Sequence, residues 1–243
     1  MPRFYCPQPL TTGAIISLPE NIVRHVLVLR LAEGDSITLF NGEGGEYAAN
    51  MAAVDKKRAS AVIGAFLPRE AELPFSITLA QALPESSKMD WIIEKAVELG
   101  VAAIQPLAAQ RSVVKLSAER AEKRQAHWQG IIAAASEQCG RNRLAQLAAL
   151  SDFNRWVTEP EFQQASHPRI LFSPRATQTL SAWARNQPPQ AVTLMIGPEG
   201  GFTEQEEQLA VTNGTLLLSL GERVLRTETA GIAALSSLSA IWG

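Results

Sequence analysis

Two short stretches of the chain combine residue types that suit a ligand site. The first is Gly197-Pro198-Glu199-Gly200-Gly201; it follows the apolar run Val192–Ile196 and precedes Thr203 and Glu206, a pair spaced to cap a helix. Glycines let the backbone approach a ligand closely and adopt positive φ. A glycine loop facing a helix N-terminus suits a phosphate, a carboxylate or a nucleoside. The stretch lacks Gly-Lys-Ser/Thr, so it is not a P-loop, and its spacing is not GxGxxG. A tight turn that simply needs glycine is the competing reading. The second stretch, Gly221–Thr229, sets Glu222, Arg223, Arg226 and Glu228 among the apolar Val224 and Leu225. That mixture suggests backbone curled against a ligand, with the apolar side chains walling an adenine. A surface loop with ion pairs is the alternative.

A third stretch is Ser136-Glu137-Gln138-Cys139-Gly140-Arg141-Asn142-Arg143. Arginines just past a helix end can pair with phosphate, and Asn142 can hydrogen-bond a base edge. The same cations can instead complement the helix C-terminus.

Periodicity indicates the elements that hold these stretches. Arg3–Cys6, Ala14–Leu18, Ser36–Phe40, Tyr47–Val54 and Ala59–Leu67 read as short strands, with a helix over Pro19–Arg30. Short strands at this spacing predict a small barrel. Pro68–Pro74 marks a boundary, so the expected domains are residues 1–70 and 74–243. Beyond it, strands alternate with helices. Ile77–Leu83, Val101–Leu107, Arg169–Phe172, Val192–Ile196 and Thr215–Leu220 are the strands. Ser87 and Asp90 form a capping-box pattern for a helix ending at Gly100. Further helices are expected over Ala118–Cys139, Phe153–Ala165, residues 178–186, Thr203–Asn213 and Thr229–Trp242. The alternation predicts an α/β fold with a mostly parallel sheet. Both glycine stretches then leave the carboxyl ends of strands, where open α/β sheets bind ligands.

The 243 residues, 46% apolar and 19% charged, suit a globular chain with a large core. Two distant cysteines, Cys6 and Cys139, make neither a CxxC nor a Cys/His cluster, so no metal is expected and a reducing cytoplasmic setting fits. No run approaches the ~18 apolar residues of a membrane span. The net charge of −2 excludes a globally basic coat. Residues 111–143 nevertheless hold seven lysines and arginines against three acids, while residues 144–243 hold six against nine. Such a basic strip can bind RNA phosphates or form a solvated helix face.

Taken together, the stretches Ser136–Asn142, Ile196–Phe202 and Leu220–Ala230 resemble the bacterial small-subunit ribosomal RNA uracil-N3 methyltransferase family, of the knotted α/β (SPOUT) superfamily. Lys88–Gly100 and the opening Arg3–Leu10 support the match, which runs from Arg3 to Trp242. The resemblance implies a small PUA-like barrel that binds RNA, followed by a methyltransferase domain with a deep trefoil knot. It implies S-adenosylmethionine as cofactor, a homodimer, and one uridine of 16S ribosomal RNA, naked or in the assembled subunit, as substrate. Carried over residue by residue, the cofactor contacts are Leu171, Phe172, Gly197, Glu199, Gly200, Gly201, Leu218, Leu220, Gly221, Val224, Leu225 and Arg226. Arg226 is the candidate for stabilising charge on the uracil; Glu228 and Glu199 are candidate bases. The RNA-binding candidates are Arg3, Arg30, Lys56, Lys57, Arg58, Lys88, Arg111, Lys115, Arg141, Asn142 and Arg143. Many members carry an arginine where this chain has Leu27. Competing functions are a related methyltransferase acting on another RNA, a non-catalytic RNA-binding assembly factor, and a nucleotide hydrolase. The missing P-loop disfavours the last.

Overall fold

A computed structural model describes residues 1–85, 87–113 and 118–243. The chain divides into two compact units. One contains residues 1–72 and 133–144, the other residues 73–132 and 145–243.

The first unit contains β1 (Arg3–Tyr5), β2 (Ile15–Ser17), α1 (Glu20–Val28), β3 (Ser36–Phe40), β4 (Glu46–Val54) and β5 (Ala59–Leu67). Its five-stranded sheet has the order β1-β3-β4-β5-β2. β1 runs parallel to β3, and the other pairs are antiparallel. At the β4–β5 turn the Asp55 carboxylate accepts from the Lys57 and Arg58 amides, both at 2.8 Å. An Asx turn of this kind offers the backbone a local partner where the ladder stops. One stripe of α1, made of Ile22, Val23 and Val26, packs with Phe4, Ile37, Leu39, Met51 and Ile63. Full burial of such a side chain contributes roughly 1.5–3 kcal/mol.

The second unit begins with β6 (Ile77–Ala82), α2 (Lys88–Glu98) and β7 (Ala103–Ala108). α3 (Ala118–Cys139) follows; its residues from Ala133 onward group with the first unit. Then come β8 (Gln146–Leu147), β9 (Ser151–Asp152), α4 (Phe153–Thr158), α5 (Pro160–Gln164), β10 (Arg169–Phe172) and α6 (Leu180–Ala184). β11 (Val192–Ile196), α7 (Glu204–Thr212), β12 (Leu216–Leu218) and α8 (Thr227–Trp242) complete the chain. The seven-stranded sheet has the order β12-β10-β11-β6-β7-β8, with β9 also on β7. Its pairings are all parallel among the described residues. β11 is buried at every position, as a central parallel strand should be. Alternation along β6 sends Ala80 and Ala82 into a core with Phe153, Val157, Phe202 and Ala210. Leu79 and Gln81 face the other way, against Gly231 of α8. α8 also packs on α2, α6 and β11.

The structure departs from the sequence reading at several points. Ser87 makes no side-chain cap on α2. Asp90 instead accepts from Trp128 Nε1 at 3.0 Å and meets His127 Nε2 at 2.8 Å, fastening α2 to α3. The expected helix over Phe153–Ala165 is two helices. Glu159 is extended between them because Pro160 disfavours the helical region for its predecessor. β8 and β9, of two residues each, are too short for a periodic signal. α8 starts at Thr227, two residues earlier than the apolar pattern suggested. By contrast the capping box of Thr203 and Glu206 forms in full.

Replacing Thr203 by alanine should lower the unfolding midpoint by about 2–4 °C, because a lost cap costs about 1 kcal/mol. Ser87→Ala should leave the midpoint within about 1 °C, since no cap bond is lost. Parallel thermal scans followed by circular dichroism check both.

Candidate active site

A cleft of about 240 Å³ opens at the carboxyl ends of β10, β11 and β12. One part of its wall is apolar: Phe172, Ile196, Leu220, Val224 and Leu225. Val224 is 78% exposed, an apolar side chain left at the rim with little to cover it. The polar part is Arg111, Arg175, Glu199 and Glu207. Of the expected cofactor contacts, Phe172, Gly197, Glu199, Gly200, Gly201, Leu220, Gly221, Val224 and Leu225 are brought together here. Leu171 and Leu218 lie behind them as buried strand residues. Arg226 is the exposed N-cap of α8, and its carbonyl accepts from Ala230 N at 2.9 Å.

The glycine loop is a turn closed by Gly201 N donating to Pro198 O at 2.8 Å. A Cβ on Gly197 would lie 2.9 Å from Phe202 N and 3.0 Å from Gly201 Cα, both backbone atoms that cannot yield cheaply. Gly221, at φ +110, takes a conformation that residues with a Cβ avoid, and nothing lies within 4 Å of its Cβ direction. The loops are therefore shaped by backbone, leaving room beside it.

Five further contacts hold the cleft. Thr227 Oγ donates to Gly197 O at 2.6 Å and accepts from Gln81 Nε2 at 3.0 Å. Arg111 Nη1 donates to Gly200 O at 2.7 Å. Lys88 Nζ lies 2.6 Å from Glu199 Oε1, which also accepts from Glu85 N at 3.1 Å. Burial alone would raise the Glu199 pKa, but Lys88 and the Glu85 and Glu199 amides outweigh it and hold the carboxyl below its usual value. The same pair raises the Lys88 ammonium, against slight desolvation, with Glu228 and Glu85 adding charge. Glu228 sits in the first turn of α8, and its Oε2 is buried without a hydrogen-bond partner.

The RNA candidates separate into two groups. Arg3, Arg141 and Asn142, RNA candidates in the sequence, are engaged by partners within the first unit. Arg141 is 3% exposed and Asn142 fully buried. Arg141 grips Glu72 through Nε at 3.0 Å and Nη2 at 2.5 Å. Asn142 donates to Arg69 O at 2.5 Å and accepts from Arg3 Nη2 at 2.8 Å, while Arg3 also pairs with Glu46. A cation so placed would meet a phosphate only at the cost of these contacts. Arg30, Lys56, Lys57, Arg58 and Arg143 are exposed. Arg30 closes α1 at φ +55, an unusual conformation for a side chain of its size. Lys115 lies outside the described residues.

Sequence reasoning missed Arg175, Glu207, Thr227 and Gln81. Arg175 carried a usable signal, since Ser173-Pro174-Arg175 directly follows a strand at its ligand-binding end. Glu207 resembles any acid near a helix start, and Thr227 and Gln81 meet only through the fold.

The depressed Glu199 pKa means that its pairing stabilises the loop above the ordinary carboxylate range. That contribution is lost as pH falls through the lowered value. Lys88→Met should move the Glu199 titration upward, and side-chain carbon NMR of labelled glutamate reads the shift. An unmoved Glu199 would remove Lys88 as its holder.

Comparison with known proteins places this geometry. An RNA methyltransferase domain family matches residues 71–239, and an RNA methyltransferase PUA domain family matches residues 18–64. The ribosomal RNA small subunit methyltransferase E of Bacillus subtilis (strain 168) is 32% identical over 96% of this chain and 92% of its own length. That of Synechocystis sp. is 35% identical over 88% of this chain and 69% of its own length. The same enzyme from Neisseria gonorrhoeae, solved bound to S-adenosylmethionine, superposes with a TM-score of 0.91 at 39% identity, covering 100% of this chain and 98% of that one. A Legionella pneumophila methyltransferase solved with the same cofactor gives 0.90 at 38% identity over 98% and 96%. This chain belongs to the RNA methyltransferase family and, within it, to the ribosomal RNA small subunit methyltransferases E.

Proposed function

We propose that the enzyme methylates N3 of one uridine in 16S ribosomal RNA, with S-adenosylmethionine as methyl donor. The observation that carries this reading is the cleft itself. It lies at the carboxyl ends of three adjacent parallel strands, and it pairs an apolar wall with a glycine-opened backbone and carboxylates. Those residues fit the cofactor. Phe172, Ile196, Leu220, Val224 and Leu225 suit an adenine, while Gly197–Gly201 and Gly221 let the backbone approach it. Leu171, Leu218 and Arg226 support these walls from behind and from the start of α8. The cofactor supplies an electrophilic methyl group on a sulfonium, and the reaction needs an acceptor nitrogen stripped of its proton.

Of the two candidate bases, Glu199 and Glu228, it is Glu228 that has an acceptor oxygen without a partner. Glu199 is engaged by Lys88 and Glu85, and its lowered pKa makes it a weak base. Glu228 Oε2 has no donor, and a buried oxygen in that state favours an incoming N–H. Arg226, two residues earlier and exposed, can reach the uracil carbonyls that share the charge once N3 is deprotonated. Glu199 then serves to fix the glycine loop.

The RNA path draws on the remaining candidate cations. Arg30 and the β4–β5 turn residues Lys56, Lys57 and Arg58 serve in the first unit, with Arg143; Arg111, Lys88 and Lys115 serve in the second. Phosphate contacts of this kind position the RNA, while the cleft selects the base. No helix among the described residues is long and apolar enough to cross a membrane, consistent with a cytoplasmic enzyme working on ribosomal subunits. A homodimer belongs to the same reading. The return of α8 from edge strand β12 across β11 to β6 supports the superfamily's knotted threading.

Mapping modified nucleosides in 16S ribosomal RNA from cells lacking the enzyme should show one N3-methyluridine lost. An unchanged complement would overturn the substrate assignment. Glu228→Gln should slow methylation by roughly 10²–10⁴-fold, the usual contribution of a general base. Its cofactor affinity should stay within about twofold of wild type, since a general base acts on the acceptor and not on cofactor binding. A Glu228→Gln enzyme with full activity would return the role to another group.

A further inference from the structure

The cleft holds a charged pair that proton removal does not use. Arg175 follows β10, and Glu207 stands one turn into α7; both line the cleft. Arg175 Nη2 lies 2.8 Å from Glu207 Oε2, with side-chain exposures of 52% and 11%. Arg175 Nη1 is a looser 4.0 Å from Glu204, an exposed residue.

Stability accounts for this placement only in small part. The start of α7 is already capped by Thr203 and by Glu206, which accepts from Thr203 N, Thr203 Oγ and Gln110 N. Glu207 adds to that start only the general favour of a negative charge in the first helical turn. A carboxylate largely withdrawn from water loses solvation, and one arginine that is half-exposed returns little of it. An apolar residue at 207 would complete the wall at lower cost. A charged pair kept on the wall of a ligand cleft is better explained by a ligand that carries charge there.

We propose that Arg175 and Glu207 receive the amino-acid tail of S-adenosylmethionine, the guanidinium taking the α-carboxylate and the Glu207 carboxylate taking the α-ammonium. The assignment rests on the cofactor reading above and extends it to a charged pair in the lining of the same cleft. A zwitterion presents opposite charges side by side, as this pair does, so each charge meets its complement. Arginine suits the carboxylate because its planar fork matches two oxygens. Glu207 is held in place before the ligand arrives by Arg175 and by its position on a helix, which lowers the ordering cost of binding. The two ends of the cofactor are thereby read by different chemistry: the base by apolar shape at Leu220, Val224 and Leu225, the tail by charge.

Two thioether nucleosides separate these ends. S-adenosylhomocysteine carries the tail, and 5′-methylthioadenosine lacks it. Calorimetric titration of both into wild type, Arg175→Met and Glu207→Gln reads the difference without any turnover. Each substitution should weaken S-adenosylhomocysteine about tenfold or more, the loss expected for one charge-assisted hydrogen bond. Binding of 5′-methylthioadenosine should remain within about twofold, a lost tail contact being invisible to a ligand without a tail, and this also reports that the cleft is folded. Equal weakening of both ligands, or none for S-adenosylhomocysteine, overturns the tail assignment alone. A wild-type protein that binds neither ligand removes the cofactor reading and the tail assignment with it.

Discussion

The hydroxyl of Thr227 joins the segments that make the cleft. It donates to the carbonyl of Gly197 in the glycine loop and accepts from Gln81 at the end of β6, and it belongs to the first turn of α8. Thr227 is 5% exposed and Gln81 fully buried, so both bonds lie in a medium where an unmade one is expensive. A central strand, the ligand loop and the closing helix are thus set against one another by one atom. The loop's own geometry then follows from the missing Cβ at Gly197, which lets Gly201 and Phe202 fold back against it. The position of Glu228, one residue along from Thr227, depends on the same anchor.

Charge is distributed around this anchor in a division of labour. Glu199 is pinned by Lys88 on one side of the glycine loop, and Arg111 holds the Gly200 carbonyl on the other. These contacts fix backbone, and they leave their partners with little capacity for chemistry. Glu228 retains an unmet acceptor, and Glu207 with Arg175 faces the cleft as an intact ion pair. A carboxylate's role here is set less by its identity than by which donors the fold has already placed against it.

The first unit shows the same principle in a structural setting. Arg3, Glu46, Arg69, Arg141, Asn142 and Glu72 form a connected set of ion pairs and hydrogen bonds. It ties residues 133–144 to β1, β4 and the stretch after β5, which is why that late segment clusters with the N-terminal strands. Glu137 contributes by accepting from Tyr5 N at 2.8 Å, and burial raises its carboxyl despite that bond. The residues around Arg141 therefore help to hold this unit together, while Arg30, Arg143 and the cations of the β4–β5 turn stay exposed.

Sequence alone determined the local and the repetitive parts of this protein. β3 and α3 appear with the bounds that periodicity predicts, and the Thr203–Glu206 cap forms as spaced, because such features depend on neighbours three or four residues away. The alternation of strand and helix announced a parallel sheet, and the glycine loops announced a ligand beside it. Tertiary structure alone decided the strand order β12-β10-β11-β6-β7, which no periodicity encodes. It also decided the fate of each polar residue. Asp90 serves Trp128 and not its own helix, Arg141 is buried against Glu72, and Arg175 meets Glu207 at the cleft wall. The physical reason is range. A side chain's propensity is local, but its hydrogen-bond and charge partners are set by which distant segments the packed core brings within 3 Å or so of it.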